Sequence, residues 1–212
     1  MKKTTIILAV GFAALIIGLS ACGSGGADVG SESPALSVTE DILASHENDA
    51  KHFAELYPVT QDNPYIFATY DEVISVLESG TGIIVFGFPD CPRCQNAFPV
   101  LEKAFYEMNL DKRAGYRGRI LYYDIFDDRD AHNERYQTIV SYLEDHLTLD
   151  DSGNPRIYVP DIYFVAIGKI VGNHLDTVPS VEDPFADLTL EQEMELLGIY
   201  KDLIAKMEAA CC

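Results

Sequence analysis

Two cysteines separated by two residues are the side chains of this sequence best placed to do chemistry. Cys91-Pro92-Arg93-Cys94 follows an apolar run at 83–86 and stands at the head of a predicted helix. Two thiols at this spacing can close a small disulfide ring. A helix N-terminus stabilises the thiolate of the first cysteine, which is the form that attacks other disulfides. The motif therefore predicts thiol–disulfide chemistry.

The neighbours of the first cysteine act on it in opposite directions. Pro92 starts the helix and removes one amide donor that would otherwise point at the sulfur. Arg93 brings positive charge and favours the thiolate, whereas Asp90 brings negative charge and disfavours it. The sequence therefore leaves the pKa of Cys91 open.

Other interpretations of the pair remain at this point. It could be a structural disulfide, a pair of inert thiols, or half of a zinc site completed by the tail cysteines or by a distant histidine. A metal chaperone would also use Cys91 and Cys94. The tail cysteines are Cys211 and Cys212. They could form a second exchange pair, but adjacent cysteines form a strained ring and chain ends are usually disordered, so we expect a non-essential tail.

The N-terminus has the pattern of an export signal. The chain begins Met-Lys-Lys, an apolar stretch runs from Ile6 to Leu19, and the tetrapeptide Leu-Ser-Ala-Cys ends at Cys22. This is a secretory signal, shorter than the roughly 20 apolar residues of a membrane span. The tetrapeptide resembles the bacterial lipobox, in which the cysteine is lipidated and becomes the first mature residue. We therefore expect a lipid anchor on Cys22, at the extracytoplasmic face of the cell membrane. An ordinary signal peptide with an incidental cysteine is the alternative.

The composition is strongly acidic. The formal net charge is −19, from 15 Lys and Arg and 34 Asp and Glu. Removal of Lys2 and Lys3 with the signal leaves 13 basic residues against 34 acidic ones, a charge of −21. Such a charge excludes electrostatic binding to nucleic acid or to anionic lipid headgroups. We expect a solvated exported surface, and the sequence implies no cofactor and no resident metal.

The chain divides into four segments. Residues 1–21 form the signal, 22–36 a flexible tether rich in Gly and Ser, 37–63 a helical extension that docks on the main domain, and 64–212 the main domain. The extension has a capping-box pattern at its start, at 37–40.

Hydrophobic patterning predicts an α/β main domain with a central sheet of mixed direction flanked by helices. The predicted strands are 65–67, 83–88, 119–126, and a hairpin of 161–167 and 169–172 that turns at Gly168. The predicted helices are 69–79, 92–109 with a kink at Pro99, 133–147 and 189–209.

For three further groups of residues, the sequence predicts a location in the fold. Four aspartates, at 124, 127, 128 and 130, lack the spacing of an EF-hand, so we expect a solvated loop. Three histidines have no evident partner and are expected at the surface: His132, His146 and His174. Four aromatic residues are expected mostly in the core: Tyr122, Tyr123, Phe126 and Tyr163.

Four features in this order resemble the thioredoxin superfamily over about residues 65–207. They are the CxxC motif after a buried strand, Pro99 five residues after Cys94, Val159-Pro160 before a strand, and the hairpin at Gly168 before a terminal helix. With its lipobox, the chain is similar to thioredoxin-like bacterial lipoproteins, including those described as bacteriocin-transport accessory proteins.

The resemblance implies a thioredoxin-like fold and a set of site residues. Cys91 would be the attacking nucleophile and Cys94 the buried resolving thiol. The bond between Val159 and Pro160 would be cis and packed against the disulfide, which keeps bound metal away from the thiols. Four residues would contact the substrate: Val159, whose backbone pairs with an extended segment, Pro160, Pro92 and Arg93.

The sequence also departs from the thioredoxin pattern. Asp90 stands where thioredoxins have Trp, and Val85 stands where they have a buried, proton-relaying Asp. The stretch from Cys91 to Pro160 is longer than in a minimal thioredoxin. These departures favour a specialised partner over general thioredoxin activity.

The sequence thus predicts a membrane-tethered extracytoplasmic thiol–disulfide oxidoreductase. Its partners would be cysteine-containing exported or surface proteins, together with a redox partner that the sequence does not identify. The direction of exchange depends on the redox potential, which the dipeptide Pro92-Arg93 does not fix. The alternative is a non-catalytic accessory lipoprotein, in which residues 22–60 and the long stretch between Cys91 and Pro160 bind an exported peptide or a transporter.

Overall fold

A computed structural model describes residues 45–211. Its strands are β1 (Tyr65–Phe67), β2 (Gly82–Gly87), β3 (Ile120–Asp124), β4 (Thr148–Leu149), β5 (Pro155–Arg156), β6 (Asp161–Ala166) and β7 (Lys169–Leu175). Its α-helices are α1 (Asp49–Leu56), α2 (Tyr70–Glu78), α3 (Pro92–Glu107), α4 (Phe126–Asp130), α5 (Glu134–Leu143) and α6 (Leu190–Ala210). Short 3₁₀ turns lie at Leu110–Lys112, Gly115–Gly118 and Glu144–His146.

The central sheet is mixed, as the sequence predicts, and has five strands in the order β1-β3-β2-β6-β7. Strands β1, β3, β2 and β7 run in one direction, and β6, which pairs with β2 and β7, runs antiparallel to them. Val85 in β2 lies opposite Tyr122 in β3 and Ile162 in β6, so the middle of β2 is paired on both sides. A separate two-stranded ribbon of β4 and β5 was not expected from the sequence.

Burial explains why β2 lies at the centre of the sheet. All six of its residues are buried, as expected of an apolar run covered on both faces. Ile83 and Val85 pack into the core on one face, and Ile84 and Phe86 pack into the core on the other. The helices therefore cover both faces of the sheet.

Each face is covered by its own helices. One core contains side chains of α1, α3 and α6 together with both CxxC cysteines. The other contains side chains of α2 and α5, including Val73, Val76, Tyr136 and Ile139. Within the described residues 45–211, no helix is long and apolar enough to cross a membrane. The signal, the predicted lipidation site at Cys22, the tether and the capping-box pattern at 37–40 lie outside those residues.

Helix α1 packs into the same core as the sheet. Phe53 is completely buried, and its ring stacks on Tyr65 with centroids 4.2 Å apart. The hydroxyls of Tyr57 and Tyr122 are hydrogen-bonded at 2.9 Å. The predicted extension therefore contributes core residues to the domain on which it was expected to dock.

The segment before β1 also covers the outer edge of the sheet at β1. The backbone N–H of Phe67 donates to the Asp49 carboxylate at 2.8 Å. The N–H of Tyr65 donates to the side-chain oxygen of Asn63 at 3.1 Å. An edge strand with free donors invites pairing with another chain, and these side chains satisfy two of them.

Some local expectations need correction. Phe126 was expected in the core but is 47% exposed. The reason is that β3 ends at Asp124, whose carboxylate accepts the N–H of Phe126 at 3.0 Å and turns the chain into α4. The helix predicted to reach Leu147 ends at Leu143. His174 was expected at the surface but is half-buried, with its ring against Tyr200.

We predict that Phe53→Ala destabilises the protein by about 3–5 kcal/mol, because it removes a fully buried ring and leaves a cavity. Urea unfolding of the purified protein measures the change. Phe185→Ala is the matched control, since Phe185 is 80% exposed, and its effect should stay within about 0.5 kcal/mol. Equal effects of the two substitutions would show that α1 does not contribute to the core.

Candidate active site

The loop that carries the CxxC motif leaves the end of the central strand. Strand β2 ends at Gly87, and the N–H of Cys91 donates to the carbonyl of Phe88 at 3.1 Å, which closes a turn. A Cβ on Gly87 would lie 2.9 Å from the Phe98 ring and 3.1 Å from the Tyr122 ring. Glycine is required here because the backbone lies directly against α3 and β3. The turn is thereby fixed to the core.

Cys91 and Cys94 form a disulfide at the start of α3, with Cα atoms 5.3 Å apart. Cys91 is the N-cap of the helix, and the N–H of Cys94 donates to its sulfur at 3.1 Å. Cys91 is 4% exposed and Cys94 is completely buried. The sulfur that an incoming thiolate can reach is therefore that of Cys91, and its position stabilises a thiolate.

The loop before β6, which contains Val159 and Pro160 and is named the proline loop, lies against this disulfide. The peptide bond between Val159 and Pro160 is cis, as the resemblance implies. The sulfur of Cys91 lies 3.7 Å from the carbonyl oxygen of Val159, 68 residues away in the sequence. Pro160 is buried and Val159 is half-buried. The fold thus brings together the two parts of the predicted site.

Arg93 is held by a residue that the sequence did not single out. Its guanidinium donates to the Asp176 carboxylate at 2.7 Å. Asp176 follows β7, and its backbone N–H donates to the carbonyl of Pro160 at 2.8 Å. One aspartate therefore joins the CxxC turn to the proline loop. The remaining charged neighbour from the sequence, Asp90, is exposed.

The segment before β1 holds α3 from the other side. The Gln95 amide donates to the carbonyls of Leu56 and Pro89, both at 3.0 Å. The buried Glu102 carboxylate accepts the backbone N–H and the hydroxyl of Thr60. These contacts hold α3, and sequence patterns could not reveal those to Leu56 and Thr60, which lie 39 and 42 residues from their partners.

A groove of about 170 Å³ opens at the turn that leads into Cys91. Its lining is Phe88, Pro89, Asp90, Asp124, Phe126 and Asp127. The two phenylalanine rings meet edge to face at 5.3 Å. Burial, together with the neighbouring Asp127 carboxylate, raises the pKa of Asp124. The lining of this groove is therefore both aromatic and acidic. A larger cavity, of about 540 Å³, lies against β1 and contains no residue of the turn that leads into Cys91.

A buried carboxyl group adjoins the proline loop and was also missed. Asp161 is 2% exposed and accepts the Tyr163 hydroxyl at 2.7 Å and the Asn173 amide at 3.3 Å. Burial raises its pKa to about 7. Because side chains alternate along β6, Asp161 shares a sheet face with Tyr163, whereas the cysteines pack with Ile162. In the sequence, the only indication of Asp161 as a special residue is its charge at the start of an apolar strand.

The wall behind the disulfide is apolar. Val85, which occupies the position where the resemblance would place an acid, is completely buried in the core that contains Cys94. No carboxylate of β2 is therefore available at this position to take a proton from the second thiol.

Cys211 lies far from the motif. Its sulfur is 3.9 Å from the Thr81 hydroxyl, just before β2, whereas Cys91 follows the opposite end of that strand. A six-residue strand spans about 20 Å, so Cys211 cannot share a ligand with Cys91. Cys211 is partly buried at the end of α6, and Cys212 lies outside the described residues. Within residues 45–211, no group of three or more His, Cys, Asp or Glu side chains is arranged to hold a metal ion.

Comparisons of the chain with models of protein families, with curated proteins and with solved structures found no match. The chemistry of the site therefore has to be inferred from its geometry. That geometry is a disulfide at a helix N-terminus, with the less buried sulfur against a backbone carbonyl and a groove at the turn that leads into Cys91.

We predict that Asp161 makes the protein less stable as the pH rises. The folded protein binds a proton on the Asp161 carboxylate more tightly than the unfolded chain does. The pKa of this carboxyl group is about 7 in the fold and about 3.9 in the unfolded chain. Its stabilising contribution is complete below pH ~4 and is lost as the pH rises through about 7. Relative to Asp161→Asn, wild-type protein should lose on the order of 4 kcal/mol over this range.

The measurement is the free energy of unfolding in urea at several pH values between 4 and 8. Asp187→Asn, at an exposed position, is the matched control and should retain the wild-type pH dependence. Parallel curves for wild type and Asp161→Asn would contradict the prediction.

Proposed function

We propose that this protein has a thioredoxin-like fold and is an extracytoplasmic thiol–disulfide oxidoreductase, tethered to the membrane by lipid on Cys22. The observation that carries the proposal is the disulfide of Cys91 and Cys94 at the start of α3, with the Cys91 sulfur 3.7 Å from the Val159 carbonyl. Its substrates are cysteine-containing exported or surface proteins.

The arrangement of the elements supports the proposed fold. The motif joins the central strand β2 to α3, and β6 and β7 form an antiparallel hairpin on the far side of β2. That hairpin turns at Gly168, where a Cβ would lie 2.3 Å from the Glu78 carbonyl and φ is +68°. Helix α6 then packs back against α3 in the core that holds the disulfide.

The proposed reaction is a two-step exchange. A substrate thiolate attacks the Cys91 sulfur, forms a mixed disulfide and expels Cys94 as a thiolate, which takes up a proton. A second substrate thiolate attacks the substrate sulfur of that mixed disulfide and expels Cys91. The substrate gains a disulfide and loses two electrons and two protons, which the Cys91–Cys94 pair gains. The reverse sequence reduces a substrate disulfide.

Local contacts favour Cys91 as the exchanging sulfur. The N–H of Cys94 and the N-terminus of α3 stabilise the Cys91 thiolate as it leaves. The buried Cys94 is protected from direct attack by a second protein. Pro92, Arg93, Val159 and Pro160 surround the pair and are the proposed substrate contacts. The neighbouring groove would receive the residue next to the substrate cysteine.

The export pattern supports the proposed location. A cysteine pair that cycles through a disulfide is suited to an oxidising compartment, and the N-terminal pattern directs the chain out of the cytoplasm. A lipid anchor would keep the catalytic domain at the membrane surface.

We predict that wild-type protein equilibrates between dithiol and disulfide in glutathione buffers. Cys91→Ser should lose all exchange. Cys94→Ser should accumulate a mixed disulfide on Cys91, because no resolving thiol remains. Mass spectrometry after acid quenching and alkylation measures each species.

Cys211→Ser is the control, since this cysteine lies at the opposite end of β2, and it should leave the potential of the pair unchanged. A wild-type pair that exchanges in no buffer would overturn the enzyme proposal. The remaining proposal would then be a non-catalytic accessory lipoprotein that binds an exported peptide or a transporter.

We also predict that Cys22→Ala moves the protein from the membrane fraction to the soluble fraction of an expressing bacterium. The substitution removes the proposed lipid attachment site, and with it the acyl chains that would hold the domain at the membrane. Fractionation and immunoblotting measure the change. Persistence of Cys22→Ala in a salt-washed membrane fraction would contradict the lipid-anchor proposal.

A further inference from the structure

Asp176 is the residue through which three parts of the proposed active site meet. Its carboxylate binds the Arg93 guanidinium at 2.7 Å, and its backbone N–H binds the Pro160 carbonyl at 2.8 Å. Arg93 lies inside the CxxC motif, and Pro160 belongs to the loop against Cys91. One residue after β7 therefore spans the site from the helix to the proline loop.

The carboxylate of Asp176 is held in one orientation. The same oxygen that binds Arg93 accepts the backbone N–H of Thr177 at 2.7 Å and its hydroxyl at 3.3 Å. The segment is fixed on α3 a second time, by a hydrogen bond of 2.8 Å from the Asn96 amide to the carbonyl of Ala186. Arg93 is thus drawn toward a fixed acceptor.

The backbone of Asp176 has an uncommon conformation. Its φ is +73°, in the left-handed region that few residues other than glycine adopt. Asp and Asn tolerate this region better than other side chains do. A residue other than glycine occupies this strained backbone conformation close to the CxxC motif, which points to a role for its side chain.

We propose that Asp176 is a positioning residue that binds Arg93 and so withholds the positive charge of the motif from the Cys91 sulfur. The inference rests on the proposed exchange function of Cys91 and Cys94. An arginine two residues after Cys91 would by itself stabilise the Cys91 thiolate. Bound to Asp176, the arginine belongs to a neutral pair, and the helix N-terminus and the Cys94 N–H remain the main stabilising groups.

The other titratable groups around Asp176 do not replace its charge. Burial lowers the pKa of His174 on β7 and raises the pKa of Tyr200 on α6, so both are neutral at pH 7. Three further aspartates line the groove at the turn that leads into Cys91: Asp90, Asp124 and Asp127. The pairing of Arg93 with Asp176 therefore decides how much positive charge acts on the Cys91 thiolate.

The test is Asp176→Asn in the full chain. Asparagine keeps the side-chain shape, tolerates the left-handed backbone and still accepts the Thr177 N–H, but it has no charge. We expect the acid dissociation constant of the Cys91 thiol to increase about tenfold. Absorbance of the thiolate at 240 nm during a pH titration of the reduced protein measures it. At a pH above the Cys91 pKa of both the wild type and the variant, a tenfold change in the exchange equilibrium corresponds to a rise of about 30 mV in the reduction potential.

A double-mutant cycle separates this mechanism from a general loss of negative charge. In an Arg93→Gln background, Asp176→Asn should change the Cys91 dissociation constant less than it does in the wild type, because the withheld charge is absent. Asp187→Asn removes a charge from the same segment at an exposed position and should have no effect. An equal shift in both Arg93 backgrounds would overturn the proposal.

A second variant keeps the proposal testable if Asp176→Asn does not fold. Asp176→Gly suits the left-handed backbone, keeps the N–H bond to Pro160 and should shift the Cys91 dissociation constant in the same direction. The absorbance titration uses chemically reduced protein, so it yields a result even if the wild-type pair does not exchange with glutathione. Failure to exchange would overturn the proposed function. An unchanged dissociation constant in both variants would overturn the role of Asp176.

Discussion

Burial of β2 on both faces is the constraint on which the rest of the structure depends. Its apolar side chains alternate between two cores, so neither face can be exposed without a large loss of stability. The strand is therefore fixed at the centre of the sheet, and so is its end. Gly87 presses the following turn against Phe98 and Tyr122, which sets the start of α3 and the position of Cys91.

Three distant segments then converge on that turn. The proline loop approaches it from β6, the segment after β7 reaches it through Asp176, and the segment after α1 holds α3 through Gln95 and Glu102. Strands β2 and β6 are antiparallel neighbours, so the beginning of β6 lies beside the end of β2. Sheet topology therefore explains why the loop at Val159 faces the disulfide.

The electrostatics of the site follow from an acidic chain with few cations. The protein has 34 acidic residues against 15 Lys and Arg, and carboxylates line the groove at the turn that leads into Cys91. The helix N-terminus and the Cys94 N–H act against this field without any charged side chain. The one arginine within the motif is paired with a carboxylate, which makes the charge at the site depend on a contact between two segments.

The sequence by itself determined the elements whose signals are local. The apolar run of β2, the CxxC spacing, the turn at Gly168 and the start of α6 after Thr189 are each visible within a few residues. Together such signals predicted a mixed sheet flanked by helices. Only the tertiary structure decided the contact of Arg93 with Asp176, the burial of Phe53 and the burial of Asp161. The physical reason is sequence separation. Arg93 and Asp176 are 83 residues apart, and they come within 2.7 Å because β2 and β7 end at the same end of the sheet.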